Sequence, residues 1–160
     1  MIRAIYPGTF DPVHYGHIDI AKRAAAIFDE VIVAVYSRPL KNLLFSVEER
    51  VALVQESIAD IPNARVDAYD TLTVDYAKAT DAQVIVRGLR VFSDFEFEFR
   101  MALTNQRLAS GIETVNLMTK EEHTFLSSTT VKEVAELNGD ITSMVPPTVR
   151  QALLARFEKS

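Results

Sequence analysis

From Ile2 to Tyr36 the chain reads IRAIYPGTFDPVHYGHIDIAKRAAAIFDEVIVAVY. Ile2–Tyr6 is an apolar run of strand length, halted by Pro7-Gly8 and by Thr9 and Asp11-Pro12, all residues suited to a turn. Ile18–Phe28 has a helical pattern that ends at Asp29-Glu30, and Val31–Tyr36 is a second strand-like run. A strand, a turn, a helix and another strand in that order make the parallel β-α-β unit. The first turn of this helix holds His17. Its unpaired backbone N–H groups and about half a positive charge attract phosphate. An imidazole there adds a donor that can change protonation near neutral pH.

The pattern continues outward. Arg65–Ala68, Val84–Val86 and Thr114–Met118 complete five short runs, most of them apolar at successive positions, as strands buried on both faces are. Helices are expected over Val47–Ala59 behind a Ser46–Glu49 capping box, and over Val74–Ala79. Ser93-Asp94-Phe95-Glu96 reads as a second capping box, opening a helix to about Ala109. Thr130–Glu133 opens another, stopped by Asn138-Gly139, and Pro147 starts a last one through about Phe157. Alternating strands and helices require a doubly wound, five-stranded parallel sheet in a single α/β domain over residues 1–160. Ligands of such sheets bind beyond the carboxyl ends of the strands, where strand order reverses.

Composition excludes several chemistries. With no cysteine, disulfides, thiolate metal sites and thiol catalysis are ruled out. No apolar run approaches the roughly 20 residues of a membrane helix, and the opening strand lacks a signal-peptide pattern, so a cytoplasmic protein is expected. A net charge of −5 argues against general nucleic-acid binding but not against one nucleotide. The glycines at 8, 16, 88, 111 and 139 allow neither a dinucleotide fingerprint nor a Walker loop. His14 and His17 could ligate a metal, though His123 is the only other histidine available.

Phosphate-seeking groups instead follow the strands: Lys41 after the second, Arg87-Gly88-Leu89-Arg90 after the fourth, and His123 with Ser127-Ser128-Thr129 after the fifth. On the helix from Ser93, residues Phe92, Phe95, Phe99, Ala102 and Leu103 form one stripe expected to pack on the sheet. Phe97, Met101 and Leu108 form an opposite stripe, to be covered either by a loop or by another subunit.

Gly8-Thr9-Phe10 with His14-Tyr15-Gly16-His17, then Arg87–Arg90 leading to Asp94-Phe95-Glu96, then Leu126–Lys132, resemble the HxGH nucleotidyltransferase superfamily, and within it the phosphopantetheine adenylyltransferases. The resemblance runs nearly end to end. It implies a Rossmann-like nucleotidyltransferase fold and transfer of the adenylyl group of ATP to 4′-phosphopantetheine, giving dephospho-coenzyme A and pyrophosphate. It further implies Mg²⁺ carried by the nucleotide and a homohexamer. His17, Lys41 and Arg87 would be catalytic. ATP would meet Thr9, Phe10, His17, Gly88, Leu89, Arg90, Glu98 and the segment His123, Thr124, Phe125, Leu126, Ser127, Ser128, Thr129. Phosphopantetheine would meet Thr9, Lys41, Thr73 and Arg87. Thr73 replaces a Leu or Met common in the family, and His123 stands where Trp or Tyr is frequent. A relative using a nicotinate or nicotinamide mononucleotide, or CTP with a small phosphate, would share the nucleotide half of the site. A nucleotide sensor would bind without transfer.

Overall fold

The computed structural model describes residues 1–158, the side chains of Phe92 and Ser93 excepted. Five strands are β1 (Arg3–Gly8), β2 (Glu30–Tyr36), β3 (Ala64–Tyr69), β4 (Val84–Leu89) and β5 (Glu113–Met118). Six α-helices alternate with or follow them: α1 (Tyr15–Ile27), α2 (Val47–Ser57), α3 (Thr73–Ala79), α4 (Phe92–Leu108), α5 (Ser128–Glu136) and α6 (Pro147–Phe157). Every strand pair is parallel and the order is β3-β2-β1-β4-β5, so the sequence of strands reverses beside β1. Ile5, Ile32 and Ile85 from the three central strands are fully buried on one face, against α3 and Ala109. Ala4, Val31, Val33 and Val86 face the opposite layer, against α1, α2, α5 and α6. Covering both faces explains the uninterrupted apolar runs.

The pairing is uneven. β1 and β2 match over six residues, but β1 and β4 match only at Ala4–Val84 and Ile5–Ile85. Beyond those pairs the two strands part, and the Arg87 side chain crosses the gap to donate to the Pro7 carbonyl at 3.0 Å. A crevice opens there, at the reversal point where such sheets take ligands.

Most elements start and stop where the local chemistry dictates. Ser46 and Glu49 cap α2 reciprocally at 3.2 Å each. Pro147 is the first residue of α6. At the end of α5 the left-handed residue is Asn138 (φ 62), not Gly139, whose N–H closes on the Val134 carbonyl at 2.8 Å.

Four expectations need correction. β4 runs on through Leu89, so Arg87 and Gly88 belong to the strand and do not follow it. α4 begins at Phe92, which puts Ser93 inside its first turn; Asp94 Oδ2 instead accepts from the Arg90 and Val91 N–H groups. α5 begins two residues before Thr130, because Ser127 Oγ accepts from the Thr130 N–H at 3.0 Å. Finally, Phe95, Phe99 and Leu103 do not pack on the sheet; each is about half exposed, as are Phe97 and Leu108. Helical geometry supplies the reason: the face of α4 turned to the protein carries Asp94, Glu98, Ala102 and Asn105, and both apolar stripes lie on its flanks. Phe92, expected on the same stripe, lies outside the described side chains.

Candidate active site

The turn after β1 is built by ring packing. Phe10 is buried with φ 53, a left-handed conformation that a bulky residue adopts only when its surroundings impose it. The ring folds back on Gly8, where a Cβ would stand 3.0 Å from it, and meets Tyr6 edge-on at a centroid distance of 5.5 Å. Gly8 is therefore required by contact, since its own φ is not positive. The fold thus bends the chain so that Gly8 and Thr9 line the crevice.

The two histidines that follow form one unit. His14 caps α1: its Nδ1 accepts from the Gly16 N–H at 3.1 Å, while its own N–H donates to His17 Nδ1 at 3.1 Å. The rings stack at 3.7 Å, and Phe10 closes on His17 from another side at 4.8 Å. A Cβ at position 16 would come within 2.9 Å of the His14 ring, which is why glycine separates the pair. Burial is the main force holding both rings neutral: it pushes His14 down to about 3 and His17 well below its ordinary value, with Arg90 adding to each. Because Nδ1 of His17 accepts, its proton resides on Nε2. His17 is thus a fixed neutral donor.

The opening of α1 offers less to an anion than its sequence promised. Tyr15 N–H is already bonded to the Met144 carbonyl at 2.9 Å and Gly16 N–H to His14. At α5, by contrast, Ser127 satisfies Thr130, and the Ser128 and Thr129 N–H groups have no partner among the described residues. Those three residues line the crevice, so α5 supplies the free helix start.

Both arginines are clamped. Arg87 grips Glu98 through Nε (3.2 and 3.0 Å) and Nη2 (2.9 Å), and Pro7 through Nη1. Arg90 grips Asp94 through Nε (3.1 Å) and Nη2 (3.4 Å), and the Leu126 carbonyl through Nη1 at 2.8 Å. Burial works against the Asp94 charge, but the hydrogen bonds from Arg90 outweigh it and hold the carboxyl below its ordinary value. Each guanidinium keeps two N–H donors beyond those bonds.

These groups surround a cavity of about 390 Å³. Of the residues expected from sequence, Thr9, Phe10, His17, Lys41, Arg87, Gly88, Arg90, Glu98, His123, Leu126, Ser127, Ser128 and Thr129 line it. Leu89, Thr124, Phe125 and Thr73 lie outside that lining. Thr73 opens α3, with its hydroxyl 3.0 Å from that of Tyr69. Phe97, from the stripe expected to be covered by a loop or another subunit, also lines the cavity, as do Tyr6, Ile20, Asp94 and Thr119.

A cytidylyltransferase-like family model matches residues 5–134. The phosphopantetheine adenylyltransferase of Caldanaerobacter subterraneus subsp. tengcongensis is 52% identical over 157 residues, 98% of each chain. That of Aquifex aeolicus is 53% identical, over 97% of this chain and 96% of its own. The enzyme of that name from Roseiflexus sp. is 55% identical over 96% of both. The chain belongs to the phosphopantetheine adenylyltransferase family. A solved Vibrio parahaemolyticus structure, provisionally assigned as a nicotinate-nucleotide adenylyltransferase, superposes with a TM-score of 0.73 over 99% of this chain and 98% of its own. At 22% identity it speaks for the shared fold.

Two buried charges hold this family member's site together: Arg50, which sequence reasoning passed over, and Asp11, which it reads as a turn former. Arg50 on α2, 1% exposed, donates to the carbonyls of Thr9 (2.9 Å), Tyr36 (2.7 Å) and Phe45 (3.3 Å). Asp11, 2% exposed, accepts from the Leu44 and Phe45 N–H groups at 2.9 Å each and pairs with Lys132 of α5 at 3.1 Å. Together they tie the Lys41 loop to the turn and to α5. For Arg50 the signal lay only in a charge on an otherwise buried helix face, which sequence periodicity does not distinguish from a solvated one.

Proposed function

We propose that the protein transfers the adenylyl group of ATP to 4′-phosphopantetheine, forming dephospho-coenzyme A and pyrophosphate. Relatives of that name, about half identical over nearly the whole chain, support the reading. The observation that carries it structurally is His17, its Nδ1 held by the His14 N–H, lining one crevice with Arg87 and Arg90.

An oxygen of the acceptor phosphate attacks the α-phosphorus; the new P–O bond forms as the bond to the bridging oxygen of the β-phosphate breaks, and pyrophosphate leaves with that electron pair. A phosphate monoester is already nucleophilic at neutral pH, so catalysis is alignment and charge stabilisation. Alignment of two bound reactants supplies on the order of 7–11 kcal/mol. His17 Nε2–H donates to the α-phosphate oxygens as charge builds there. Lys41 and Arg87 hold the acceptor phosphate, with Thr9 reaching both ligands. Arg90 and the start of α5 hold the β- and γ-phosphates. Phe10, Gly88, Leu89, Glu98 and the 123–129 segment complete the nucleotide side, and Thr73 borders the acceptor.

Mg²⁺ enters this reading on the nucleotide and supplies charge neutralisation on the phosphates. Mg²⁺ is usually held mainly through phosphates and water, with few protein ligands. The exposed Phe95, Phe99, Leu103, Met101 and Leu108 on α4 support self-association, and the family resemblance favours a homohexamer. No helix among the described residues is long and apolar enough to cross a membrane, and we place the enzyme in the cytoplasm.

Pyrophosphate release, measured with ATP and a panel of acceptors, tests the reaction. Release with 4′-phosphopantetheine is expected, and release with nicotinate mononucleotide alone would overturn it.

A further inference from the structure

Tyr6 is the first residue of β1 beyond its last pairing with β4, that of Ile5 with Ile85. Its ring belongs to the layer of α1, α2, α5 and α6, where Phe10 meets it edge-on and the His17 ring stands 6.5 Å away, centroid to centroid. Packing asks nothing of the hydroxyl, since a phenylalanine would fill the same space. Tyr6 is 6% exposed. Among the described residues every side-chain polar atom sealed from solvent has a hydrogen-bond partner, and the Tyr6 hydroxyl has no partner. The small open part of Tyr6 therefore includes that oxygen, and it opens onto the crevice that Tyr6 helps to line. A buried phenol ordinarily spends its O–H on a neighbour, so one unspent beside a cavity points to a ligand. Burial, opposed mainly by Arg87, raises its ionisation above the ordinary tyrosine value, so the phenol keeps its proton.

We propose that Tyr6 is a further catalytic residue, its O–H donating to one non-bridging oxygen of the α-phosphate while His17 Nε2–H donates to the other. The inference rests on the α-phosphate role given above to His17. Lys41 and Arg87 are engaged by the acceptor phosphate, and Arg90 and the start of α5 by the β- and γ-phosphates. The α-phosphate has two non-bridging oxygens and one assigned donor, so a place for a second remains. Phe10 touches the rings of both Tyr6 and His17, and the three rings brace one another at the floor of the crevice. Two neutral donors of fixed direction then meet the charge that builds on the transferring group, with no reorganisation as the P–O bonds exchange.

Tyr6→Phe in the full-length protein removes the O–H and keeps the ring. In the pyrophosphate assay kcat should fall about 10²-fold, with KM for ATP and for the acceptor within about twofold of the parent. The thermal midpoint should not move. The decisive comparison uses ATP with sulfur at one non-bridging α-position, as its two separate diastereomers, because sulfur accepts hydrogen bonds weakly. With one diastereomer Tyr6→Phe should change kcat less than about threefold, and with the other the loss of about 10²-fold should persist. A normal kcat with ATP would overturn the inference, as would equal sensitivity to both diastereomers. So would a raised KM for ATP at unchanged kcat, which would move the hydroxyl to the ribose or base, and a lowered thermal midpoint, which would assign it to the fold. The assay uses whichever acceptor supports release, so its result does not depend on the identity of the acceptor. His17→Asn separates the two levels. It should show the opposite diastereomer preference. If His17→Asn turns over normally while Tyr6→Phe keeps its diastereomer pattern, the role of His17 fails and that of Tyr6 stands. If His17→Asn behaves as expected and Tyr6→Phe shows no pattern, only the role of Tyr6 fails.

Discussion

Three substitutions at His17 separate its two nitrogens. Nδ1 accepts from the His14 N–H, and the ring is held between His14 and Phe10, so Nε2 is left with one fixed proton to donate. Asparagine can place an oxygen where Nδ1 was, keeping the His14 bond but lacking the far donor. Glutamine reaches further and can set an amide N–H near the former Nε2. Alanine supplies neither group. Loss of one transition-state donor costs about 10²–10³ in kcat. An unpaired buried N–H costs a further ~1–3 kcal/mol of stability. Turnover should therefore fall by about 10²–10³ in His17→Asn and His17→Ala and by less in His17→Gln. Alanine and glutamine, which leave the His14 N–H without its acceptor, should lose the stability increment, and asparagine should keep it. The assay is pyrophosphate release with both substrates saturating, paired with urea unfolding. Because burial keeps the imidazole neutral, kcat should show no acid limb near pH 6.5. Asparagine turning over as fast as glutamine, or an acid limb near 6.5 that glutamine abolishes, would refute the assignment of a neutral Nε2 donor.

The same burial ties stability to pH. Below pH ~6.5 the unfolded chain binds protons that the folded His14 and His17 refuse, so stability is complete above that value and falls on acidification. Unfolding at pH 6.5 and 5.0, above the carboxylate range, should show a mean loss of about 1.1 kcal/mol per unit for each ring, and a flat profile would contradict it. Arg50→Met leaves three carbonyls without their cation and should cost about 3–5 kcal/mol; a urea midpoint near that of the parent would show that they find other donors. Gly16→Ala drives a methyl into the His14 ring and should lower both melting temperature and turnover, checked by calorimetry and the pyrophosphate assay. Phe95→Ser with Leu103→Ser should shift sedimentation toward smaller species, whereas an unchanged profile would place the contact elsewhere.

The sheet was legible because runs such as Val31–Val35 are apolar at every position, a pattern that only two-sided burial requires. Placement of the site followed from topology, since phosphate-seeking residues trailing successive parallel strands must gather at one edge. α4 was misread because periodicity reports which residues share a face, not which face turns inward; the aromatics outweighed Asp94 and Glu98 in the reading, although the carboxylates meet Arg90 and Arg87 while Phe95 and Phe99 are about half exposed. The helix start at α1 was misjudged for a related reason. Its donors are spent on Met144 and His14, and the first of those contacts comes from far along the chain. The start of α5 was placed at Thr130 because Ser127, Ser128, Thr129 and Thr130 are equally able to cap, and only packing chooses Ser127 among them.

β1 and β4 are joined by two residue pairs, and a single guanidinium spans the opening beyond them. The sheet is in effect two plates, β3-β2-β1 and β4-β5, welded over a short seam and riveted by Arg87. A rivet that also handles cargo answers to two masters. Trimming it loosens the joint and empties the grip together, so a kinetic defect at this position acquires meaning only beside a measurement of how firmly the plates still hold.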